Sequence, residues 1–153
     1  MSEAIARRPC ELDASRLAPS DMAAMREALR SAALPADDLD APDVMPFVFR
    51  RAGDDVGYGG LELHGDNALL RSIVVDPDYR GEGVGRRIVE LLSARARALG
   101  AARAFLLTAS ADRWFAKFGF ASLDRRDAPA SIAATRQMAA LCPASAVLMT
   151  KAL

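Results

Sequence analysis

The chain has 153 residues, of which 52% are apolar and 26% are charged. This length allows one domain with a sizeable core, and the composition is that of an ordinary globular protein. The formal net charge is zero, which argues against bulk binding of nucleic acid or another polyanion.

Membrane segments and metal sites are not expected. No apolar run approaches transmembrane length, and residues 1–9 lack the apolar core of a signal peptide. We therefore expect a cytoplasmic protein with no membrane partner and a single domain over residues 1–153. The two cysteines, Cys10 and Cys142, lie far apart without metal-ligand spacing, and there is one histidine. These counts predict reduced thiols and no bound metal.

The N-terminal part predicts a strand, a helix and a loop. A weak strand pattern covers Cys10 to Leu17, and Ser20 is the expected N-cap of a helix that ends at Leu34-Pro35. The acidic, proline-bearing segment from Pro35 to Pro46 predicts a loop. The apolar stripe expected on the helix is Met22, Met25, Leu29 and Ala33.

Three strands follow as a predicted antiparallel meander. The runs Phe47–Arg51 and Val56–Leu63 flank a turn, and a second turn at His64-Gly65-Asp66-Asn67 leads into a strand from Ala68. We interpret His64 as an exposed turn residue rather than a catalytic one.

The stretch from Leu69 to Leu99 organises the rest of the chain. Its β-branched run to Val75 predicts a mostly buried strand, which ends at Pro77 because proline cannot donate to a ladder. A glycine-rich turn, R-G-E-G-V-G, then precedes a helical pattern that Gly100 ends. The apolar positions of this helix are Val84, Ile88, Leu91, Leu92 and Leu99.

A strand, a glycine-rich turn and a helix together make an anion site. The first N–H groups of a helix lack intrahelical partners and lie at the positive end of its dipole. Glycines let a ligand approach this backbone closely, while Arg80 and Arg86 add charge-assisted donors. The turn therefore predicts a pyrophosphate site, with a ligand-free glycine turn as the alternative.

The glycine spacing excludes two common classes of pyrophosphate site. A dinucleotide fingerprint needs glycine where Arg86 or Ile88 stands, and a Walker A loop needs Gly-Lys where Arg86-Arg87 stands. The remaining pattern, R-x-x-G-x-G after a strand ending in V-D-P, resembles the acetyl-CoA signature of the GNAT N-acetyltransferase superfamily. The resemblance implies acetyl-CoA as cosubstrate and a motif strand that splays from its neighbour and holds pantetheine by its backbone.

The distal half predicts two helices and three strands. Ala104–Thr108 is expected to be a buried strand parallel to the motif strand, because a helix connects them. The later predicted elements are a helix at Ala111–Phe118 capped by Asp112, a strand at Phe120–Asp124, a helix at Ala130–Leu141 and a strand at Ala146–Lys151.

Two later stretches extend the resemblance. W-F-A-K-F-G-F, from Trp114 to Phe120, is similar to the superfamily's second signature, F-Y-x-K-x-G-F. The tail from Ala134 to Met149 resembles the end of a GNAT subgroup of arsenic-resistance N-acetyltransferases, some of which acetylate arsinothricin or phosphinothricin. The helix predicted between the last two strands departs from the simplest superfamily pattern.

The resemblance also implies site residues. It implies direct attack of an amine on the thioester, which a backbone N–H near Val75 polarises. It makes the loop from Pro35 to Pro46 a candidate lid, with a solvated connector as the alternative. The implied contacts of acetyl-CoA are Ile73, Val74, Val75, Arg80, Gly81, Gly83, Val84, Gly85, Arg86, Trp114, Phe115 and Lys117.

Glu62 and Arg71 leave the acid–base chemistry open. Glu62 is a candidate catalytic base, and Arg71 is a candidate donor to an acid group of the acceptor. The alternative is that the two side chains simply pair across the sheet. Ser72 and Thr108 are further candidates for acceptor contacts, although ordinary strand hydroxyls are the preferred interpretation.

Phe115 and Cys142 bear on two further steps, protonation of the departing sulfur and formation of an acyl-enzyme. A tyrosine commonly stands near the departing sulfur in the superfamily, and Phe115 occupies that position here without a proton to donate. An acyl carrier at Cys142 is disfavoured, because no base adjoins it in the sequence.

Together these patterns predict an enzyme with a single α/β domain. We expect a mixed, mostly antiparallel twisted sheet with a central parallel pair and helices on both faces. The predicted activity is acetyl transfer from acetyl-CoA to a small amino acid-like acceptor, including arsinothricin or phosphinothricin. The alternatives are another amine, such as a protein N-terminus or polyamine, and a non-catalytic acetyl-CoA sensor. Pairing through Ala146–Lys151 is one route to a homodimer.

Overall fold

A computed structural model describes residues 11–153, so the predictions for Cys10 and for residues 1–9 lie outside the described residues. Seven strands form one sheet in the order β1-β2-β3-β4-β5-β7-β6, and only β4 and β5 run parallel. The predicted meander and parallel pair are confirmed. The strands are β1 (Asp13–Arg16), β2 (Met45–Arg51), β3 (Asp54–His64), β4 (Asn67–Val75), β5 (Arg103–Thr108), β6 (Ala121–Leu123) and β7 (Val147–Ala152).

Helices cover both faces of this sheet, as predicted. Successive residues of a strand point to opposite faces of the sheet. Phe47 and Phe49 of β2 join the core under the helix Val84–Ala98 (α2), while Val48 joins the core under the helix Met22–Ser31 (α1). No helix within residues 11–153 is long and apolar enough to cross a membrane. The helices are α1 (Met22–Ser31), α2 (Val84–Ala98), α3 (Asp112–Ala116), α4 (Ala130–Ala133) and a π-helix (Gln137–Leu141).

The first helix is shorter than predicted at both ends. Pro19–Asp21 forms a 3-10 turn, so Ser20 does not cap α1, which begins at Met22 without a side-chain cap. At the other end Ala33 has φ 58°, and the Leu34 N–H donates to Leu29 O (2.8 Å). This Schellman arrangement closes the helix before the proline does.

Two further helix predictions were wrong, the buried position of Leu99 and the N-cap at Asp112. Leu99 lies beyond the end of α2 and is 48% exposed, so it does not belong to the buried stripe. Asp112 is the first residue of α3, and the N-cap position falls on Ala111, which has no side-chain oxygen to offer.

The predicted tail helix is broken. Thr135 Oγ1 donates to Ile132 O (2.7 Å) and accepts from the Met138 N–H (3.3 Å), which interrupts the helical ladder after α4. The chain resumes as the π-helix, where the Cys142 N–H donates to Gln137 O (2.9 Å). The tail therefore carries two short pieces where the alanine-rich sequence predicted one helix.

The last strand lies inside the sheet. β7 pairs with β5 on one side and with β6 on the other, both antiparallel. β5 and β6 together occupy both edges of β7 at residues 148–150, which leaves no free edge there for pairing with a second chain, and the homodimer stays a prediction.

Candidate active site

A cleft opens where β4 and β5 diverge. The two strands pair only over three residues each, Asn67–Leu69 with Arg103–Phe105. β4 continues to Val75 and β5 to Thr108 with no further ladder between them in the described chain. The facing edge of β4 therefore presents backbone N–H and C=O groups to the cleft, as the predicted splayed strand requires.

A bulge at Ser72 shapes this edge. The register shifts between Tyr58 and Gly60, so that Ser72 and Ile73 lie together opposite one residue of β3. Ser72 has φ 58°, which non-glycine residues rarely adopt. The extra residue turns Ile73 toward the core under α2 and Val74 toward α1.

A cavity of about 440 Å³ occupies the cleft. Val74 instead lines a neighbouring cavity of about 470 Å³ on the α1 side, together with Arg80 and Tyr58. The cavity in the cleft is lined by several predicted site residues, namely Arg71, Ser72, Ile73, Val75, Gly85, Thr108, Trp114 and Phe115.

The glycine turn borders the cavity at the start of α2. Gly81 and Gly83 both have φ 81°, and a Cβ at either position would meet no atom within 4 Å. A Cβ at Gly85 would lie 3.1 Å from the Trp114 indole. The Arg87 N–H donates to Gly83 O (3.1 Å), so helix geometry leaves the preceding N–H groups for the turn.

A buried ion network lies beside the cleft. Arg71 donates from Nη1 to Asp38 Oδ2 (2.6 Å) and Glu62 Oε2 (2.7 Å), and from Nη2 to Asp38 Oδ1. Its Nε donates to Ser72 Oγ (3.1 Å). These bonds use four of the five guanidinium donors, and one Nη2–H has no partner among residues 11–153.

Arg71 and Asp38 are both charged at neutral pH. Burial acts to raise the pKa of Asp38, but the hydrogen bonds and charges of Arg71 and Arg136 hold it below its ordinary value of 3.8. Burial acts to lower the pKa of Arg71, and its bonds to Asp38 and Glu62 outweigh that effect and raise it.

Glu62 pairs with Arg71, which is one of the two expected alternatives. Its other oxygen lies 2.9 Å from His64 Nε2, so His64 is not the exposed turn residue that we predicted. The His64 ring bends back onto β3, and its side chain is 20% exposed. Asp43 lies within 4.8 Å of these two groups but already pairs with Arg136. Glu62 does not line the cavity, and its role as base stays a prediction.

Comparison with known families identifies the cleft. Residues 43–122, just over half of the chain, match the family described as acetyltransferase (GNAT) domain. The chain belongs to the GNAT acetyltransferase family. At the level of the family, this membership confirms the predicted class of acetyl-CoA-dependent N-acetyltransferase and the predicted cosubstrate, acetyl-CoA.

Individual relatives share part of this GNAT chain. The amino-acid acetyltransferase of Ralstonia nicotianae is 42% identical over 60 residues, which cover 39% of this chain and 13% of that protein. N-acetylglutamate synthase from Neisseria gonorrhoeae, complexed with coenzyme A and N-acetyl-glutamate, has a TM-score of 0.76 at 17% identity and covers 95% of this chain and 36% of its own. The ribosomal-protein-S18-alanine N-acetyltransferase of Escherichia coli has a TM-score of 0.69 at 20% identity, and the match covers 93% of this chain and 94% of that chain. The chain thus spans only a small part of the first curated relatives, and the two structures share its fold.

The residues of the GNAT turn fit the pyrophosphate of acetyl-CoA. A Cβ at Gly81 or Gly83 would meet no atom within 4 Å, so the turn before the free N–H groups of α2 leaves open space that a phosphate can fill. Arg86 stacks over the Phe118 ring at 5.4 Å and stays largely exposed, while Lys117 is exposed on the neighbouring α3 end. Arg80 lies on the other side of β4, in the cavity that Val74 lines.

The loop before β2 is not a solvated connector. Ala36 and Leu39 are buried, and Asp38 pairs with Arg71 in the ion network. Pro35 lines the GNAT cleft. The candidate lid is therefore attached to the sheet by a buried ion pair.

Phe115 leaves the GNAT cleft without a tyrosine. Its ring packs against Trp114 (centroids 4.9 Å apart) and lines the cavity. The only tyrosines of the chain lie elsewhere, Tyr58 in the neighbouring cavity and Tyr79 beside Asp54. The Thr108 hydroxyl accepts from a backbone N–H (2.9 Å) and keeps its own proton for donation into the cleft.

Sequence reasoning missed Gln137, which lies at this cleft on the π-helix. Cys142 Sγ donates to Gln137 Oε1 (3.1 Å), and burial raises the pKa of the Cys142 thiol despite the charge of Arg125. A raised thiol pKa argues against nucleophilic catalysis by Cys142. No signal in the sequence marks Gln137, since the pattern there predicts an ordinary helix.

We expect Asp38→Asn to lower the free energy of unfolding by about 3 kcal/mol at pH 7, because it leaves part of the buried Arg71 charge unpaired. Since the pKa of Asp38 is lowered, this contribution is present above 3.8 and is lost as the pH falls through the lowered value. Urea unfolding at pH 7 and near pH 3 should therefore show the difference from wild type narrowing in acid. The control is Asp40→Asn, whose side chain is 73% exposed and which should cost under about 0.5 kcal/mol. A pH-independent difference would contradict the ionic origin.

Proposed function

We propose that this GNAT domain, over residues 1–153, acetylates the amino group of a small amino acid-like acceptor that carries an acid group. One observation carries the proposal: among residues 11–153, Arg71 is the only charged residue that lines the cleft, and one of its N–H donors has no partner there. An anionic group is the natural partner of a buried guanidinium. The similarity to amino-acid acetyltransferases supports the same class of acceptor.

The proposed reaction is direct transfer. The acceptor amine attacks the thioester carbonyl carbon, the carbon–sulfur bond breaks, and coenzyme A leaves as the thiolate while the amine gives up a proton. The free edge of β4 supplies backbone donors for the carbonyl oxygen, and Val75 is the proposed donor. Glu62 is the proposed base through an intervening water, because it does not line the cleft.

Protonation of the thiolate falls to hydroxyl groups or water in this proposal. Ser72 and Thr108 both line the cleft, and Thr108 keeps a free hydroxyl proton. Coenzyme A is also a tolerable thiolate leaving group, so Phe115 is compatible with turnover.

The finer acceptor that we propose is arsinothricin or its phosphorus counterpart phosphinothricin. The tail from Ala134 to Met149 supports this choice through its resemblance to the arsenic-resistance subgroup. Both compounds are glutamate analogues with a second acid group, which could accept from the remaining Nη2–H of Arg71 at the cleft.

A non-catalytic acetyl-CoA-binding module is the second candidate. Phe115 favours it, because the cleft lacks the tyrosine that commonly assists the leaving sulfur. This module would bind acetyl-CoA through the same turn and release no coenzyme A.

We expect acetyl-CoA turnover only with acceptors that carry an acid group. The measurement is release of free coenzyme A with arsinothricin, phosphinothricin, glutamate, spermidine and a short C-terminally amidated peptide without acidic side chains, against a control without acceptor. Turnover of spermidine or the peptide alone would contradict the acidic acceptor. Silence with every amine, while acetyl-CoA still binds, would favour the binding module.

A further inference from the structure

The amide of Gln137 is an unused donor in the cleft. The residue is 6% exposed and lines the cavity, yet its Nε2 has no hydrogen-bond partner among residues 11–153. Buried amide donors are almost always paired, because an unpaired one gives up hydration without a replacement. In the described chain Ser93 Oγ is the other such atom, and it lies on α2 and does not line this cavity. Gln137 therefore calls for a partner that the cleft itself receives.

Neighbouring bonds fix the direction of this amide. The Cys142 thiol donates to Oε1 at 3.1 Å, so the carbonyl end of the side chain is engaged. The backbone oxygen of Gln137 accepts a hydrogen bond from the Cys142 N–H (2.9 Å). The preceding residue, Arg136, pairs with Asp38 (3.0 Å) and Asp43. The Nε2–H groups are thus the free end, held in place before any ligand binds.

Gln137 lies at the end of the cleft where the ion network is. Arg136, the residue before Gln137, donates to Asp38 Oδ2 (3.0 Å), and Arg71 donates to the same oxygen (2.6 Å). The other end is marked by Gly85 and Trp114, which pack together beside the glycine turn. Gln137 is accordingly placed for the acceptor rather than for the phosphates.

An amide suits an acid group at this position. Arg71 is already bound to two carboxylates, and none of the described residues that line the cleft carries a carboxylate. A further arginine or lysine would add charge to a buried site, whereas an amide adds donors without charge.

We propose that Gln137 Nε2 donates a hydrogen bond to an acid group of the acceptor and thereby selects acidic amino acid-like acceptors over plain amines. The inference rests on the proposed function above and adds the residue that sets its specificity. The acid group can be a carboxylate, a phosphinate or an arsinate, since all three offer anionic oxygens to an N–H donor.

The test compares Gln137→Met, which removes the donor at similar volume, with Gln137→Glu, which replaces it by a carboxylate oxygen. We expect the acceptor KM to rise about 10-fold in the first variant and about 100-fold in the second, as for one lost hydrogen bond and for added repulsion. The KM for acetyl-CoA should change less than about 2-fold, since a residue at the acceptor end binds no phosphate. With a methyl ester of the same acceptor, which masks the acid group, Gln137→Met should have little effect.

The outcomes separate the two proposals. Wild-type turnover of an acidic acceptor with an unchanged KM in both variants would overturn the role of Gln137 alone. Equal loss with acid and ester, or a parallel rise in the KM for acetyl-CoA, would also overturn it. Absence of wild-type turnover with any amino acid would overturn the proposed function and this inference together. If Gln137→Met fails to fold, Gln137→Asn withdraws the same donor by one methylene and should show the same rise.

Discussion

Arg71→Met should lower the free energy of unfolding by about 3–5 kcal/mol, which is the usual cost of removing one partner from a buried ion pair. The arginine is 1% exposed and separates two carboxylates, Asp38 and Glu62, which are 8% and 1% exposed. Without the guanidinium both acids would be buried next to each other, and only Asp38 would keep a cationic partner, the partly exposed Arg136. Urea unfolding monitored by circular dichroism would measure the loss.

Two controls make this result specific to the network. Arg136→Met removes an arginine that also binds Asp38 but is 43% exposed, so it should cost under about half as much. The triple variant Arg71→Met, Asp38→Asn, Glu62→Gln removes all three charges and should recover much of the stability, since neutral replacements of a buried ion group are often tolerated. An equal loss in Arg71→Met and Arg136→Met would argue that burial contributes nothing.

The same triple variant separates structure from binding. If Arg71 also holds the acceptor, this folded protein should bind the acidic acceptor about 10-fold or more weakly, with the affinity for acetyl-CoA nearly unchanged. Isothermal titration is the measurement, because the variant also lacks the proposed base Glu62. An unchanged affinity for the acceptor would assign Arg71 to the fold alone.

Gly83→Asp should reduce the affinity for acetyl-CoA by about 1,000-fold while the protein stays folded. A carboxylate about 4 Å from a phosphate is repelled by about 4 kcal/mol at an effective dielectric constant near 20. The backbone at Gly83 has φ 81°, which aspartate and asparagine tolerate better than other side chains, and nothing within 4 Å would block a Cβ there. Isothermal titration with acetyl-CoA would measure the affinity.

The matched control is Gly83→Asn, which has the same shape and backbone tolerance without the charge. We expect it to lose only about 10-fold, because the side chain crowds the phosphate without repelling it. Equal affinities for the two variants would argue against an anion on this turn, and wild-type affinity in Gly83→Asp would remove the phosphate site altogether.

The sequence predicted the order of the strands and helices well because these elements depend on local signals. The strand before Pro77, the glycine turn and the amphipathic α2 each carry their own pattern, and a helical crossover implies the parallel pair of β4 and β5. The meander likewise follows from two short turns, the first of which uses Ala52 and Gly53 in left-handed conformations.

The acceptor end of the site was beyond sequence reasoning for a physical reason. Asp38 meets Arg71 across 33 positions, and the charge pattern of an acidic loop does not indicate which of its carboxylates turns inward. The break before Gln137 comes with the hydrogen bonds of Thr135 Oγ1 to Ile132 O and from the Met138 N–H, while alanine-rich sequence alone favours a continuous helix. A tertiary contact and a side-chain hydrogen bond therefore decided the two places where local propensity was silent or misleading.

The left-handed residue in the middle of β4 has a consequence for how this fold distributes its stability. Ser72 occupies a conformation that costs about 1–2 kcal/mol for a residue with a side chain, and it does so where a regular strand would need no such residue. Ser72 lies just beyond Leu69, the last residue of β4 that pairs with β5, so the strained position falls in the part of the strand that borders the cleft. The protein thus carries a local cost in stability in its central strand, at the edge of the cleft proposed to take its substrates.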